Sequence, residues 1–320
     1  MIAPQLPTPA GIRGARERLR PHLPETPLVR SELLSQRLGA DIWLKNETVS
    51  PIASFKARGA LNALLSQPAG WTGAVTSSTG NHGQGVAWAA RRLDRLAHVF
   101  LPDPPNPAKR RMIESLGATV HIGGADIDEA KGLALDFAAA RSLVFVDDGE
   151  DLAVMEGAGT VGLEVGERLD QVDAAFVPMG SGSLAAGFAA ALKGAGTSPG
   201  VKVVAALSEG SPAMGLSWRA RAPVSRPVAT LADGLGCRVP ARLALDAILA
   251  TVDGVELVPD AELLAAVRRL AVDGHLLAEP SAAAGLAAAL RVPPPAGSRV
   301  VIVVTGANVT LAQLEAVFSH

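Results

Sequence analysis

Six lysines occur in 320 residues, and one of them, Lys56, stands in "PIASFKARGALNALL" (51–65), between Phe55 and Ala57 where an apolar helical pattern begins. A lysine held in apolar surroundings loses its proton more readily, and the free amine attacks carbonyls. A solvated surface lysine is the competing reading, so the loops that could partner it decide the matter. In "TSSTGNHGQG" (76–85), Ser78, Thr79, Gly80, Asn81 and His82 follow an apolar run and precede a helical pattern. Backbone donors there can hold a carboxylate and the Asn81 amide can reach a polar cofactor atom; a structural turn with an Asn cap is the alternative. His82 reads equally as a base or as a hydrogen-bonded structural histidine, because no acid or cysteine pattern surrounds it. His98 and His121, inside apolar strand-like stretches, read as core. In "VPMGSGSLAAG" (177–187), Gly180, Ser181, Gly182 and Ser183 join an apolar run to a helix. Successive N–H groups at such a helix start suit a phosphate, and a crowded turn needing small residues is the other possibility. "GAGTVG" (157–162) matches a dinucleotide fingerprint in form only, since the charged, helix-like "DDGEDLAVME" precedes it instead of a buried strand, and no Gly-Lys-Ser/Thr ending marks a P-loop.

These loops need rigid elements to hold them. Apolar residues make up 48% of the chain and charged residues 19%, the balance of a globular protein, and a net charge of −2 supplies no field to gather nucleic acid or an anionic membrane. Cys237 is the only cysteine, which excludes an internal disulfide and a CxxC metal site and suggests a reduced interior position. No secretory pattern or membrane-length apolar run is visible, so a cytoplasmic location is expected. "TPAGIRGARERLRPHL" reads as an exposed N-terminal helix. Thereafter "DIWLKNE", "WTGAVTSS", "LAHVFL", "ATVHIGG", "LVFVDD", "AAFVPMG", "VKVVAALSEG" and "SRVVIVVTGAN" read as strands alternating with helical stretches, and "VELVPD" lies between two of the latter. Residues 211–240 follow no regular pattern. That alternation predicts α/β architecture, two lobes, each a mostly parallel sheet flanked by helices, in two blocks that meet near residues 146–172 with a ligand cleft between them.

Taken in order, "SFKARGALNAL", "SSTGNHGQGVAWAA", "VPMGSGSLAAG" and "VVTGANV" resemble four segments of the pyridoxal-phosphate enzymes of the tryptophan-synthase-β fold type (fold type II). Those segments are the Schiff-base segment, the substrate-carboxylate loop, the phosphate loop and the stretch approaching the pyridine nitrogen. Within that fold type the chain is similar to the serine/threonine dehydratase and serine racemase family over essentially its whole length. The resemblance implies pyridoxal 5'-phosphate in the cleft, held by Lys56, with Phe55 beside the ring and Asn81 bonded to the ring hydroxyl oxygen. Gly180, Ser181, Gly182 and Ser183 would cradle its phosphate, and Thr305 would be the neutral partner of the pyridine nitrogen. Ser78, Thr79, Asn81 and His82 would seat the substrate carboxylate. Residues 1–72 and 149–320 would form a large cofactor-binding domain and 73–148 a small substrate-carboxylate domain, with a homodimer as the family's assembly.

The implied activity is β-elimination from a small 2-amino-3-hydroxy acid, giving a 2-oxo acid and ammonia, with Lys56 as the base at Cα. Threonine and serine lead, and phenylserine and 3-hydroxyaspartate follow. Racemisation is the second reading, because Thr79 stands where racemases carry a Ser on the opposite face of the ring. A cofactor binder without turnover is the third. Three departures from the family pattern matter. Ser181 and Ser183 replace glycines of the phosphate loop; Leu207, Ser211 and Ala213 replace the carboxylates of a magnesium or calcium site, so no divalent ion is expected; and Glu156 and Ala158 are expected to alter substrate contacts. The chain ends soon after Thr305, and feedback control by isoleucine is not expected.

Overall fold

The structure, a computed structural model, describes residues 6–78, 80–105, 107–194, 196, 198 and 200–319. Its strands are β1 (Leu28–Arg30), β2 (Asp41–Asn46), β3 (Gly73–Ser77), β4 (Leu96–Leu101), β5 (Thr119–Ile122), β6 (Val144–Phe145), β7 (Ala174–Pro178), β8 (Lys202–Ser208), β9 (Gly254–Val258) and β10 (Arg299–Val304). The helices of the first half are α1 (Pro9–Leu19), α2 (Glu32–Leu38), α3 (Lys56–Leu65), α4 (Asn81–Arg92), α5 (Pro107–Ser115), α6 (Ile127–Arg141) and α7 (Leu152–Arg168). Those of the second are α8 (Ser183–Gly194), α9 (Ala213–Ala220), α10 (Arg242–Thr251), α11 (Asp260–Asp273), α12 (Ala284–Arg291) and α13 (Leu311–Phe318).

Two sheets result. One has six strands in the order β1-β2-β10-β7-β8-β9, parallel except for the edge strand β1; the other has four, β5-β4-β3-β6, all parallel. Central β10 is the most apolar run of the chain, and Val300 to Val304 are fully buried, as expected of a strand covered by helices on both faces. The early strand β2 pairs with β10 and so joins the sheet of the second block; the two sequence blocks are therefore interleaved instead of consecutive.

Local chemistry explains where helices begin and how closely they pack. Asp151 caps α7 through the N–H groups of Ala153 and Val154, and Asp126 caps α6 in the same way. "GAGTVG" lies wholly inside α7, so its glycines are packing surfaces and not a nucleotide loop. A Cβ on Gly162 would stand 2.5 Å from the Phe188 carbonyl of α8, and one on Gly157 would stand 2.6 Å from the Arg58 carbonyl of α3. The N-terminal helix departs from expectation: Ile12, Ala15 and Leu19 turn inward and are buried, and only the opposite face of α1 meets solvent. Among the described residues no helix is long and apolar enough to cross a membrane.

Candidate active site

Parallel strands place the loops that follow them at one edge of each sheet, where α/β proteins bind ligands. Here the loops after β3, β6, β7 and β10 converge on one cleft of about 660 Å³. Phe55, Lys56, Ser78, Asn81, His82 and Thr305 line it, together with Gly180, Ser181 and Gly182. The sequence separated these residues by up to 250 positions; the two sheets bring them together. Thr79 lies outside the described residues.

Lys56 opens α3, and three contacts fix that opening. Ser54 forms an antiparallel bridge with Gly306, the Phe55 N–H donates to the Thr305 carbonyl at 3.0 Å, and the Ala307 N–H donates to the Ala53 carbonyl at 2.9 Å. The end of β10 is thereby sewn to the lysine segment, which puts Thr305 beside Lys56. From the other side α4 presses close: a Cβ on Gly85 would lie 2.9 Å from the Lys56 carbonyl oxygen, so only glycine lets the carboxylate loop approach.

Beneath α3 lies a buried charge cluster. Arg58 donates to Glu47 at 2.9 and 3.0 Å and to Glu164 at 2.6 and 2.9 Å, while Lys45 donates to Glu164 at 2.5 Å and to the Thr26 carbonyl at 2.7 Å. Two cations face two carboxylates, all nearly inaccessible. Burial opposes the charge of Glu164, but Arg58 and Lys45 hold its carboxyl below the ordinary range; burial pulls Lys45 down against the same carboxylates.

On the cleft side, the Lys56 ammonium meets Asp148 at 2.5 and 2.6 Å. Desolvation would raise the Asp148 pKa, yet Lys56 and His82, with the hydroxyl of Ser181, bring it to about 2. His82 is buried; its Nε2 contacts the Val146 carbonyl at 3.2 Å, and its Nδ1 stands 3.5 Å from Asp148 without forming a hydrogen bond. Both readings of His82 left by the sequence thus acquire a neighbour. Asn81 accepts from Asn308 at 2.7 Å and donates to Glu279 at 2.7 Å. Burial raises the Glu279 pKa, against that hydrogen bond and the charges of Lys109 and Lys56.

The start of α8 has the form of an anion cradle. Gly182 has φ +102°, and a Cβ on Gly180 would stand 2.9 Å from the Gly234 carbonyl, so these positions exclude side chains and leave backbone N–H groups at a helix start. Ser183 differs from expectation: buried, it turns its hydroxyl to the Asp148 carbonyl instead of into the cleft. The residues fit pyridoxal phosphate. A lysine amine, an anion cradle and the Thr305 side chain share one cavity, and Ser281 Oγ, against Gly234 of the same wall, is buried without a hydrogen-bond partner among the described residues.

Two further expectations are corrected. Glu156 points at Gly11 of α1, where a Cβ would collide with its carboxylate, and Ala158 is in the core, so neither lines the cleft. His98 and His121 are half-buried rather than core, joined Nδ1 to Nε2 at 3.1 Å. Asp148, Glu279, Ser281 and Asn308 were missed by the sequence reading. Asp147 and Asp148 follow the apolar "LVFV" run, a signal of a strand-end site; Glu279 and Ser281 sit in a small-residue stretch that reads only as a helix.

Known proteins carry the same plan. A family model described as pyridoxal-phosphate dependent enzyme matches residues 19–306. L-threonine ammonia-lyases of Geobacter sulfurreducens and Thermotoga maritima are 36% and 34% identical over 311 residues, 96% of this chain and 77% of each relative. Among solved structures, threonine deaminase isoform 2 from Solanum lycopersicum has a TM-score of 0.89 at 28% identity, covering 100% of this chain and 98% of that one. Maize serine racemase has a TM-score of 0.91 at 28% identity, covering 99% and 98%. With a matching family model over most of its length, a cleft that fits the cofactor and the two-sheet fold, the chain belongs to the pyridoxal-phosphate dependent enzymes, in the fold type II group of serine/threonine dehydratases and racemases.

Proposed function

We propose that this chain removes water from a small 2-amino-3-hydroxy acid, threonine before serine, and yields the 2-oxo acid and ammonia. The observation that carries the reading is the convergence of Lys56, the α8 cradle and the loop residues Ser78, Gly80, Asn81 and His82 in one cleft. Relatives named L-threonine ammonia-lyase favour threonine as the substrate. When bound, pyridoxal phosphate supplies an aldehyde for the substrate amine and a ring that spreads the electron pair left at Cα.

The chain's own residues do the rest. Lys56 would hold the cofactor, and its free amine would be the base that takes the Cα proton, poised by the anchored start of α3. Backbone donors of Gly180 to Ser183 hold the phosphate, and the Ser78–His82 loop, Thr79 included, seats the substrate carboxylate. With the cofactor bound, Phe55 would lie beside its ring, Asn81 would bond its hydroxyl oxygen, and Thr305 would offer a neutral hydroxyl to its pyridine nitrogen. The proton taken from Cα and the hydroxyl lost from Cβ make up the departing water, and uptake of one water afterwards gives the oxo acid and ammonia. Residues 73–148 serve as the small substrate-carboxylate domain against 1–72 and 149–320. The reading carries a cytoplasmic location and a homodimer, checked by fractionation and sedimentation.

A second reading, racemisation, is favoured by the likeness to maize serine racemase. Threonine, serine and phenylserine, each in both stereochemical series, assayed for 2-oxo acid, ammonia and the opposite enantiomer, separate the two. Oxo acid and ammonia in equal amounts support elimination; rapid loss of enantiomeric excess in serine with little ammonia overturns it. Thr79→Ala refines the result. A second-face proton role predicts loss of interconversion beyond that of oxo-acid formation, and a seating role predicts equal losses.

A further inference from the structure

Asp148 is an acid at the centre of a cleft that has to hold an amino acid. Its carboxylate lies 2.5 Å from Lys56 Nζ, the atom whose place the substrate amine takes, and 3.5 Å from His82 of the carboxylate loop. A substrate bridging Lys56 and the Ser78–His82 loop therefore passes its Cα and Cβ substituents in front of this group. Asp148 is only partly exposed, and Ser183 grips its backbone carbonyl, so it has little freedom to swing away.

Besides Lys56, four cations line the cleft, and three of them have carboxylate partners among the described residues. Lys131 meets Asp147 at 2.5 Å, Arg238 meets Asp128 at 2.6 Å, Lys109 meets Asp233, and Arg111 is solvent-exposed. Three of these cations are thus already neutralised, and Arg111 of α5, the cleft-lining cation without an ion pair among the described residues, is solvent-exposed, where its charge is screened. We propose that Asp148 is a specificity-determining residue, which admits substrates bearing a hydrogen-bond donor on Cβ, a hydroxyl or an ammonium, and rejects those with a side-chain carboxylate. The proposal rests on the elimination reading of this cleft and narrows it: 3-hydroxyaspartate leaves the range of substrates, and 2,3-diamino acids enter. Like charges in a confined, partly desolvated site repel strongly, and an opposite charge is drawn in; discrimination thus arises as much from the rejected ligand as from the accepted one.

The test reads binding apart from turnover. The cofactor-loaded protein is titrated with 3-hydroxyaspartate and 2,3-diaminopropionate, following the visible absorption of the bound chromophore, in wild type, Asp148→Asn and Asp148→Ser. The wild type is expected to favour the diamino acid by roughly tenfold or more, and both substitutions to reduce that ratio by roughly tenfold or more. A wild-type preference for 3-hydroxyaspartate overturns the proposal, and so does a ratio that stays constant while both affinities fall together. If one variant fails to load, the wild-type ratio and the other variant still decide. Oxo-acid formation with serine and threonine, measured on the same samples, reports separately on the elimination reading, because charge selection in the titration persists whatever the bound amino acid then undergoes.

Discussion

At the scale of single residues, the cleft is governed by which groups keep their charge. Asp148 stays ionised because Lys56 and His82 outweigh its desolvation. Cys237, in the same wall, shows the reverse: burial pushes its thiol up to about 12, and Asp148 and Asp128 add to the effect. Because the thiolate is the reactive form, a thiol with that pKa is ionised to about one part in ten thousand at pH 8. Iodoacetamide is therefore expected to leave Cys237 unmodified for hours in the folded protein and to label it within minutes in denaturant; rapid labelling of the folded chain would contradict this assignment. The sequence reading foresaw a reduced cysteine but placed it in the interior, since a residue's type says nothing of which loop carries it. Lys56 was legible because its flanking residues form a local pattern. Asp148 was not, because its bond to Lys56 spans 92 residues and no local pattern encodes it.

At the scale of elements, the position of Lys56 is set by how α3 is clamped between α4, α7 and the end of β10. Glu164 of α7 is the keystone, accepting from Lys45, Arg58 and Arg16. Removing it leaves two buried cations with too little compensating charge, so Glu164→Ala is expected to lower stability by about 3–5 kcal/mol. Chemical denaturation measures this; a loss under about 1 kcal/mol would show that the cluster is not holding the helices together. The pH dependence has a definite sign. The folded-state pKa of Glu164 lies below its ordinary value, so its stabilisation is complete above the usual carboxylate range and is lost as the pH falls through the depressed pKa. The gap between wild type and Glu164→Ala should accordingly narrow in acid. Strands β2 to β8 and β10 were readable from their apolar runs, whereas β1 and β9 were not: both are edge strands, set by their pairing with β2 and β8. Similarly, the inward face of α1 was obscured by arginines, one of which, Arg16, reaches Glu164.

At the scale of the whole molecule, α5 and α6, packed on the four-stranded sheet, reach across the cleft to the segment around residues 233–238. Lys109 pairs with Asp233, and Arg238 with Asp126 and Asp128. Their carboxylates and Arg238 are partly exposed, so each pair is weak and weakens further as salt shortens the Debye length to about 3 Å at 1 M. Small-angle scattering is expected to show a larger radius of gyration in 1 M salt, with Arg238→Ala already shifted that way at low salt; identical profiles would mean that these pairs do not hold the two sheets together. The alternation of strands and helices made both sheets legible, and the resemblance implied that residues 1–72 join 149–320, but no local pattern encodes that β2 pairs with β10 across more than 250 residues. The central claim is that one of six lysines carries the cofactor, and three of them, Lys56, Lys109 and Lys131, line the cleft. Borohydride reduction of the cofactor-loaded protein, followed by peptide mass spectrometry, tests it directly: the account predicts the reduced pyridoxyl group on Lys56 alone, and its appearance on Lys109 or Lys131, or on no lysine, would contradict it.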